Sequence, residues 1–262
     1  MCGIAATFLT PQARPASDWQ AIRENFTANL LFNELRGRAA TGLIVLQADG
    51  QAHLWKEALP AREFVQTAVY RDLLQTIGPQ TTLMLGHTRL PTKGDPANNG
   101  NNHPIQVGAV YGVHNGRIRN DDQLFAQGNR LRLAEVDSEI IFRLIAETEG
   151  EPERMKLALE ALQGEFTFLA GNGRCPTKLL VVKHRNPLSL HYQPTWQALI
   201  FTSRYLFLRK QFGQAVSTET IPTDQLLLYD AQQLPARHHL PALALPLDLN
   251  HPKTAKQPAP PL

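Results

Sequence analysis

Apolar and polar positions alternate along this chain in two different rhythms. Ile4 to Phe8 is an apolar run long enough for a strand. Ser17 and Gln20 then form a capping-box pair, and Trp19, Ile22, Phe26 and Leu30 recur at helical spacing, which predicts an amphipathic helix over about 18–35. A loop with glycines at Gly37 and Gly42 leads into a strand at Leu43–Leu46. A second helix is predicted from about Ala61 to Ile77, closed by Gly78-Pro79, and Thr81 to Gly86 reads as a short buried strand. After a polar loop from Lys93 to Asn102, Val107–Val113 reads as a strand. Asn115-Gly116 is a turn signal that would make a hairpin there.

Helices return in the middle of the chain. Asn120 to Gln123 could cap a short one, and Asp137-Ser138-Glu139 opens another with Ile140, Ile141, Leu144 and Ile145 on its apolar face. A third runs from about Glu153 to Leu162 and stops at Gly164. Beyond it the rhythm shortens to strands at 166–170, 178–183, 188–191, 198–202 and 225–229. From Leu234 onward the chain holds seven of its nineteen prolines and reads as an extended tail. The expected division is therefore a domain over 2–233 and a proline-rich segment over 234–262.

Composition narrows the class without naming a function. At 262 residues, 43% hydrophobic and 19% charged, the chain has material for a sizeable core. A net charge of +3, with no basic run interleaved with aromatics, argues against nucleic acid as a partner. Two cysteines, Cys2 and Cys175, make neither a disulfide framework nor a thiolate metal cage. No apolar run approaches transmembrane length and no signal peptide is apparent, so the expectation is a cytoplasmic chain with no membrane partner. His87, His103 and His114 lack helical ligand spacing, so neither a metal nor another cofactor is expected.

The candidate chemistry begins at Cys2. Removal of Met1 would leave one residue with a thiol and a free α-amine, whose ordinary pKa values are about 8.5 and about 7.7–8. A nucleophile beside its own base needs no histidine. Gly3 lets the backbone approach closely, and the following strand could hold the terminus rigidly. Taken singly, the other signals stay ordinary. The loop at 36–42 lacks nucleotide-binding spacing, and Asp137 can be read as an N-cap alone.

Taken together and in order, the segments are more specific. Met1-Cys2-Gly3-Ile4, Arg36-Gly37 with Gly42, His87-Thr88-Arg89 with Thr92, Asn101 with His103-Pro104, His114-Asn115-Gly116 with Ile118 and Asn120, and Asp137-Ser138-Glu139 resemble the class II glutamine amidotransferase domain, an N-terminal-nucleophile hydrolase. The likeness extends through Val182–Leu188 and Phe201-Thr202-Ser203, covering about 2–230. It implies an α+β fold of four layers, αββα, with two antiparallel sheets between helices. It also implies roles. Cys2 would be the nucleophile, and Asn115 with the Gly116 N–H would hold the oxyanion. Arg89 and Thr92 would bind the α-carboxylate of L-glutamine, Asp137 its ammonium, while Arg36, His87 and His103 would support the site.

The ammonia formed would feed a synthetase on another chain. Other readings are a hydrolase of a different γ-glutamyl amide and a non-catalytic amino-acid-binding module. Two positions depart from the family pattern. Ala39 stands where an acidic residue is common, and Pro91 where a small residue is common before the threonine.

Overall fold

The apolar run at the N-terminus forms β1 (Gly3–Leu9), and all seven of its residues are buried. Ile4, Ala6 and Phe8 face a second sheet, while Ala5 and Leu9 face helices. Burial on both faces is why the run shows no alternation with polar residues. The computed structural model describes residues 2–249 apart from 215 and 217. After β1 come α1 (Ala16–Asn33), β2 (Ala40–Gln47), β3 (Ala52–Glu57), α2 (Ala61–Phe64), α3 (Ala68–Gln75), β4 (Thr81–Arg89), β5 (Ile105–Val107) and β6 (Val110–Ile118). Then follow α4 (Asp121–Gln127), α5 (Glu139–Glu147), α6 (Pro152–Leu159), β7 (Gly164–Asn172), β8 (Lys178–His184) and β9 (Ser189–Gln193). The last elements are β10 (Ala198–Thr202), α7 (Tyr205–Phe212), β11 (Gln225–Asp230), α8 (Leu234–Arg237) and β12 (Leu243–Pro246).

Two six-stranded sheets result, ordered β3-β2-β4-β1-β10-β9 and β12-β11-β8-β7-β6-β5. Every pairing between neighbouring strands is antiparallel. One apolar layer lies between the sheets, with Phe8, Ile44, Leu85 and Phe201 from the first meeting Val113, Leu169, Val181 and Tyr229 from the second. A second layer packs Trp19, Phe26, Leu30, Phe64 and Tyr70 of α1–α3 on the outer face of the first sheet. A third packs Leu124, Ile141, Phe142, Ile145 and Leu159 of α4–α6 against Phe166, Phe168 and Val182 of the second. The architecture is the four-layer α+β sandwich, αββα. No helix among the described residues is long and apolar enough to cross a membrane.

Several local expectations need correction. The long helix expected over 61–77 is two, because the chain bends at 65–67 and Thr67 caps α3 by accepting from the Tyr70 N–H. Ser17 does not cap α1, which begins at Ala16 with Pro15 before it and no side-chain cap. Asn115-Gly116 is no hairpin turn. Both residues lie inside β6, opposite Thr167 and Phe166 of β7. Gly116 sits there at φ 137°, where an added Cβ would meet the Glu165 carbonyl, so glycine is required by backbone rather than by a turn.

The extended tail also does not begin at Leu234. Leu234 is buried, and β12 pairs with β11 in register from Gln225↔Pro246 to Leu228↔Leu243. Its one proline, Pro246, fits because β12 is an edge strand, where proline is tolerated. The tail expected over 250–262 lies outside the described residues.

Candidate active site

β1 has β4 on one side and β10 on the other, so the residue before it is presented from the middle of the first sheet. That residue is Cys2. Gly3 lies opposite Thr88, and a Cβ on it would come within 2.6 Å of the Thr88 hydroxyl, which explains the glycine after the thiol. The Arg36 Nε donates to the Cys2 carbonyl at 2.6 Å. The thiol sits against Leu90, whose backbone N–H donates to Sγ at 3.2 Å while its carbonyl lies 3.3 Å away. Burial pushes the Cys2 thiol up from its ordinary range. The Leu90 N–H and the Arg89 guanidinium pull it down, and Asp137 pushes it up. Protonation at rest makes the thiol dependent on a base.

One side of Sγ opens on a cleft of about 400 Å³ whose walls include Leu90, Thr92, Gly116, Arg119 and Asn186. Asn115, beside Gly116, is buried, and its amide is 2.8 Å from the Ser203 Oγ. The same hydroxyl accepts from the Ile4 N–H at 2.9 Å, and the Ser203 N–H donates back to the Ile4 carbonyl at 3.0 Å. Asn115 Nδ2 is the donor to this hydroxyl, and its second N–H is left to donate toward a reacting group.

His87 completes this arrangement. Burial holds it neutral, its pKa lowered to about 3, and one ring nitrogen is 3.0 Å from the His114 carbonyl. A carbonyl only accepts, so that nitrogen carries the proton and the other presents a lone pair. The Asn115 side chain is within hydrogen-bonding influence of this ring. Ser203 thus holds the amide, and the His87 ring lies beside it. Ser203 entered the sequence argument only as part of a matching strand end.

Burial also lowers the pKa of His103 and His114, His103 well below the ordinary range. His103 lies over His87 at 4.2 Å between ring centres, and His114 pairs with the Ser138 hydroxyl at 2.8 Å. No group of three His, Cys, Asp or Glu among the described residues could hold a metal. Neutral rings of this kind cost stability in acid. The unfolded chain takes up protons near pH 6.5, whereas folded His87 does so only near 3, so stability falls with pH through that window. The loss from His87 alone is at most about 5 kcal/mol. Urea midpoints measured from pH 7 to pH 4 should fall steeply, and His103→Gln should flatten the slope.

Arg89 ends β4 and is buried. Its guanidinium donates to the Asn102 side chain and to the Lys93 and Gly94 carbonyls, each at 2.7 Å. It therefore closes the polar loop over itself and does not line the cleft. Asp137 does not cap α5. One of its carboxylate oxygens accepts from the Ile118 N–H at 2.6 Å, tying the approach to α5 to the end of β6. Arg89, Asp137 and Cys2 are nonetheless close enough to act on one another electrostatically.

Lys56, missed in the sequence, braces the same region by donating to the Asn102 and Pro104 carbonyls on either side of His103. At the departure from the family pattern, the Ala39 backbone N–H binds the Arg89 carbonyl at 3.0 Å. The nearby acid is instead Glu34, which accepts from the Arg62 N–H.

Comparison with known proteins bears on the family and the fold. A glutamine amidotransferase domain profile matches residues 87–210. The chain is 30% identical over 199 residues to the isomerizing glutamine–fructose-6-phosphate aminotransferase of Corynebacterium diphtheriae, covering 72% of this chain and 30% of that protein. It is 27% identical over 174 residues to the 7-cyano-7-deazaguanine synthase of Saccharolobus solfataricus, covering 65% of this chain and 36% of that one. The chain thus spans about a third of the length of these two relatives. Among solved structures, the glutamine phosphoribosylpyrophosphate amidotransferase of B. subtilis superposes with a TM-score of 0.66 at 18% identity, over 87% of this chain and 47% of that chain. The likeness to that structure is one of fold. Residues, fold and relatives converge on a glutamine amidotransferase domain: residues 87–210 match its profile, the chain is homologous to the class II amidotransferase domains of these relatives, and it shares the fold of the B. subtilis enzyme.

Proposed function

We propose that the chain hydrolyses L-glutamine to glutamate and ammonia with Cys2 as nucleophile. The observation that carries this reading is that Cys2 and Gly116 line one cleft, while Asn115 and the backbone of Ile4 share the Ser203 hydroxyl. Sγ bonds to the side-chain amide carbon, and the carbonyl oxygen becomes an oxyanion. Asn115 Nδ2 and the Gly116 N–H are its donors, each of a kind commonly worth about 10²–10³ in rate. The α-amine of Cys2, freed by removal of Met1, takes the thiol proton and passes it to the departing ammonia as the C–N bond breaks. Water then cleaves the glutamyl thioester. A thiol raised by burial needs such a base, and an amine titrating at about 7.7–8 can serve near neutral pH.

Arg89 holds the substrate carboxylate, Thr92 adds a hydroxyl contact, and Asp137 pairs with the ammonium. The partners Arg89 has now are neutral oxygens, which a carboxylate displaces readily because a charge-assisted bond is about twice as strong. Arg36, His87 and His103 hold the surroundings of the thiol in place. The ammonia is consumed by a synthetase active site on another chain.

Arg117 and Arg119 also line the cleft and are the competing carboxylate ligands. Steady-state kinetics with glutamine separate the two assignments. Arg89→Ala should raise KM by about 10-fold or more with a smaller change in kcat, the loss expected of one charge-assisted bond, and Asp137→Asn should do likewise. Arg119→Ala should change KM little. The reverse pattern would move the carboxylate site to the cleft wall.

A further inference from the structure

We propose that a second cleft, lined by the Arg36 that holds the Cys2 carbonyl, binds the phosphoryl group of a small phosphate ester. The cleft has a volume of about 540 Å³, and its walls include Arg36, Lys183, Ser189, Ser203, Arg204 and Thr218. It lies where the turn from β8 to β9 faces the start of α7. Three cations and the aliphatic hydroxyls of Ser189, Ser203 and Thr218 converge there, and no carboxylate among the described residues lines it.

The cations lack the partners that would otherwise explain them. Lys183 has neither an ion pair nor a hydrogen bond from its ammonium among the described residues, although it is half-buried and burial lowers its pKa. Arg36 spends Nε on the Cys2 carbonyl, and its Nη2 is buried without a partner among the described residues. Arg204 gives one N–H to the Phe32 carbonyl at 2.8 Å and lays its guanidinium over the Phe32 ring, leaving further donors for the cleft. The carboxylates that follow in the chain are engaged elsewhere. Glu219 pairs with His239, and Asp224 with His184.

α7 adds to this field. It starts at Tyr205, which lines the cleft, and has no side-chain cap, so no capping oxygen occupies the positive end of its dipole. Unpaired cations in a partly buried cleft are costly unless an anion completes them. Three of them around hydroxyl donors suit a dianion better than a single carboxylate. The volume suits a small molecule. A bound phosphoryl group would pair the Arg36 Nη2 while Nε keeps the Cys2 carbonyl, so one side chain would join the ligand to the backbone of the nucleophile.

The test is direct binding to the full chain without glutamine, so it is independent of whether glutamine is hydrolysed. Calorimetric titration should give saturable binding of inorganic phosphate and of glycerol 3-phosphate, and none of glycerol or acetate. Lys183→Glu should weaken both phosphates by at least about 10-fold, the change expected when a charge-assisted bond is lost, and Lys183→Arg should retain them. Lys183 has no partner to lose, so both variants should keep the wild-type thermal midpoint. Absence of saturable phosphate binding by the wild type would overturn the proposal, as would Lys183→Glu binding like wild type. Tighter binding of a short single-stranded oligonucleotide, abolished by the same substitution, would overturn the assignment to a small ester.

Discussion

Cys2→Ala is expected to reduce ammonia release from glutamine to background while leaving the fold and glutamine binding in place. The side chain lost is small and partly exposed, and its only hydrogen-bond partner among the described residues is the Leu90 backbone. The strand behind it stays anchored through Ile4, whose N–H and carbonyl are both held by Ser203. A structural role for the cysteine predicts a lowered thermal midpoint and partial activity. A nucleophile predicts an unchanged midpoint, no activity, and retained binding of glutamine by calorimetry. Cys2→Ser separates the thiol from its position, because a hydroxyl of similar size is a far weaker nucleophile at neutral pH. Appreciable turnover by Cys2→Ala would place the reaction on another group.

Asn115→Ala is expected to lower kcat by about 10²–10³ with little change in KM, the signature of a donor that acts only on charge developing in the transition state. The prediction depends on how the amide is oriented, and Ser203 tests that. Ser203→Ala removes the hydroxyl that holds the amide but keeps Asn115 itself. It should lower kcat by a smaller factor, again at nearly constant KM. Asn115→Asp keeps the shape but loses the donors and should be nearly as poor as alanine. If Asn115→Ala raised KM and spared kcat, the residue would bind the ground state and the oxyanion would have to be held elsewhere.

Much of this site could be read from the chain because its residues cluster at strand ends. Cys2 precedes an apolar run buried on both faces, and His87 and Arg89 close the central strand beside it. What could not be read depends on contacts between distant segments. Asn115-Gly116 has the composition of a hairpin turn, and only pairing with β7 turns it into a strand with a displaced glycine backbone. Asp137 has the composition of a helix cap. Its carboxylate is taken by Ile118, and α5 starts two residues later at Glu139, whose own carboxylate accepts from the Leu133 and Ala134 N–H groups.

The helices show the same limit. α1 was legible from Trp19, Ile22, Phe26 and Leu30, yet it also buries Asn25, Asn29 and Asn33. The apolar spacing does not single these asparagines out. Asn29 donates to the Phe201 carbonyl and Asn33 to the Thr202 hydroxyl, while Thr88 donates to the Asn33 carbonyl. They knit α1 to the ends of β10 and β4 that flank Cys2. α7 escaped notice because only Phe207 and Leu208 on it are buried, too few for a helical period to stand out between strands. β12 was hidden among the prolines of its segment, of which the edge strand itself holds one, Pro246.

The amine of Cys2 is the group on which the account depends most, and its state can be measured in the same sample as activity. Protein purified with its N-terminus confirmed as Cys2 by intact mass should release ammonia and glutamate from glutamine in equal amounts. The same protein carrying one added alanine before Cys2 should bind glutamine and release neither. Equal turnover by the extended protein, or by protein shown to retain Met1, would contradict the mechanism, and so would a correctly processed chain that leaves glutamine intact.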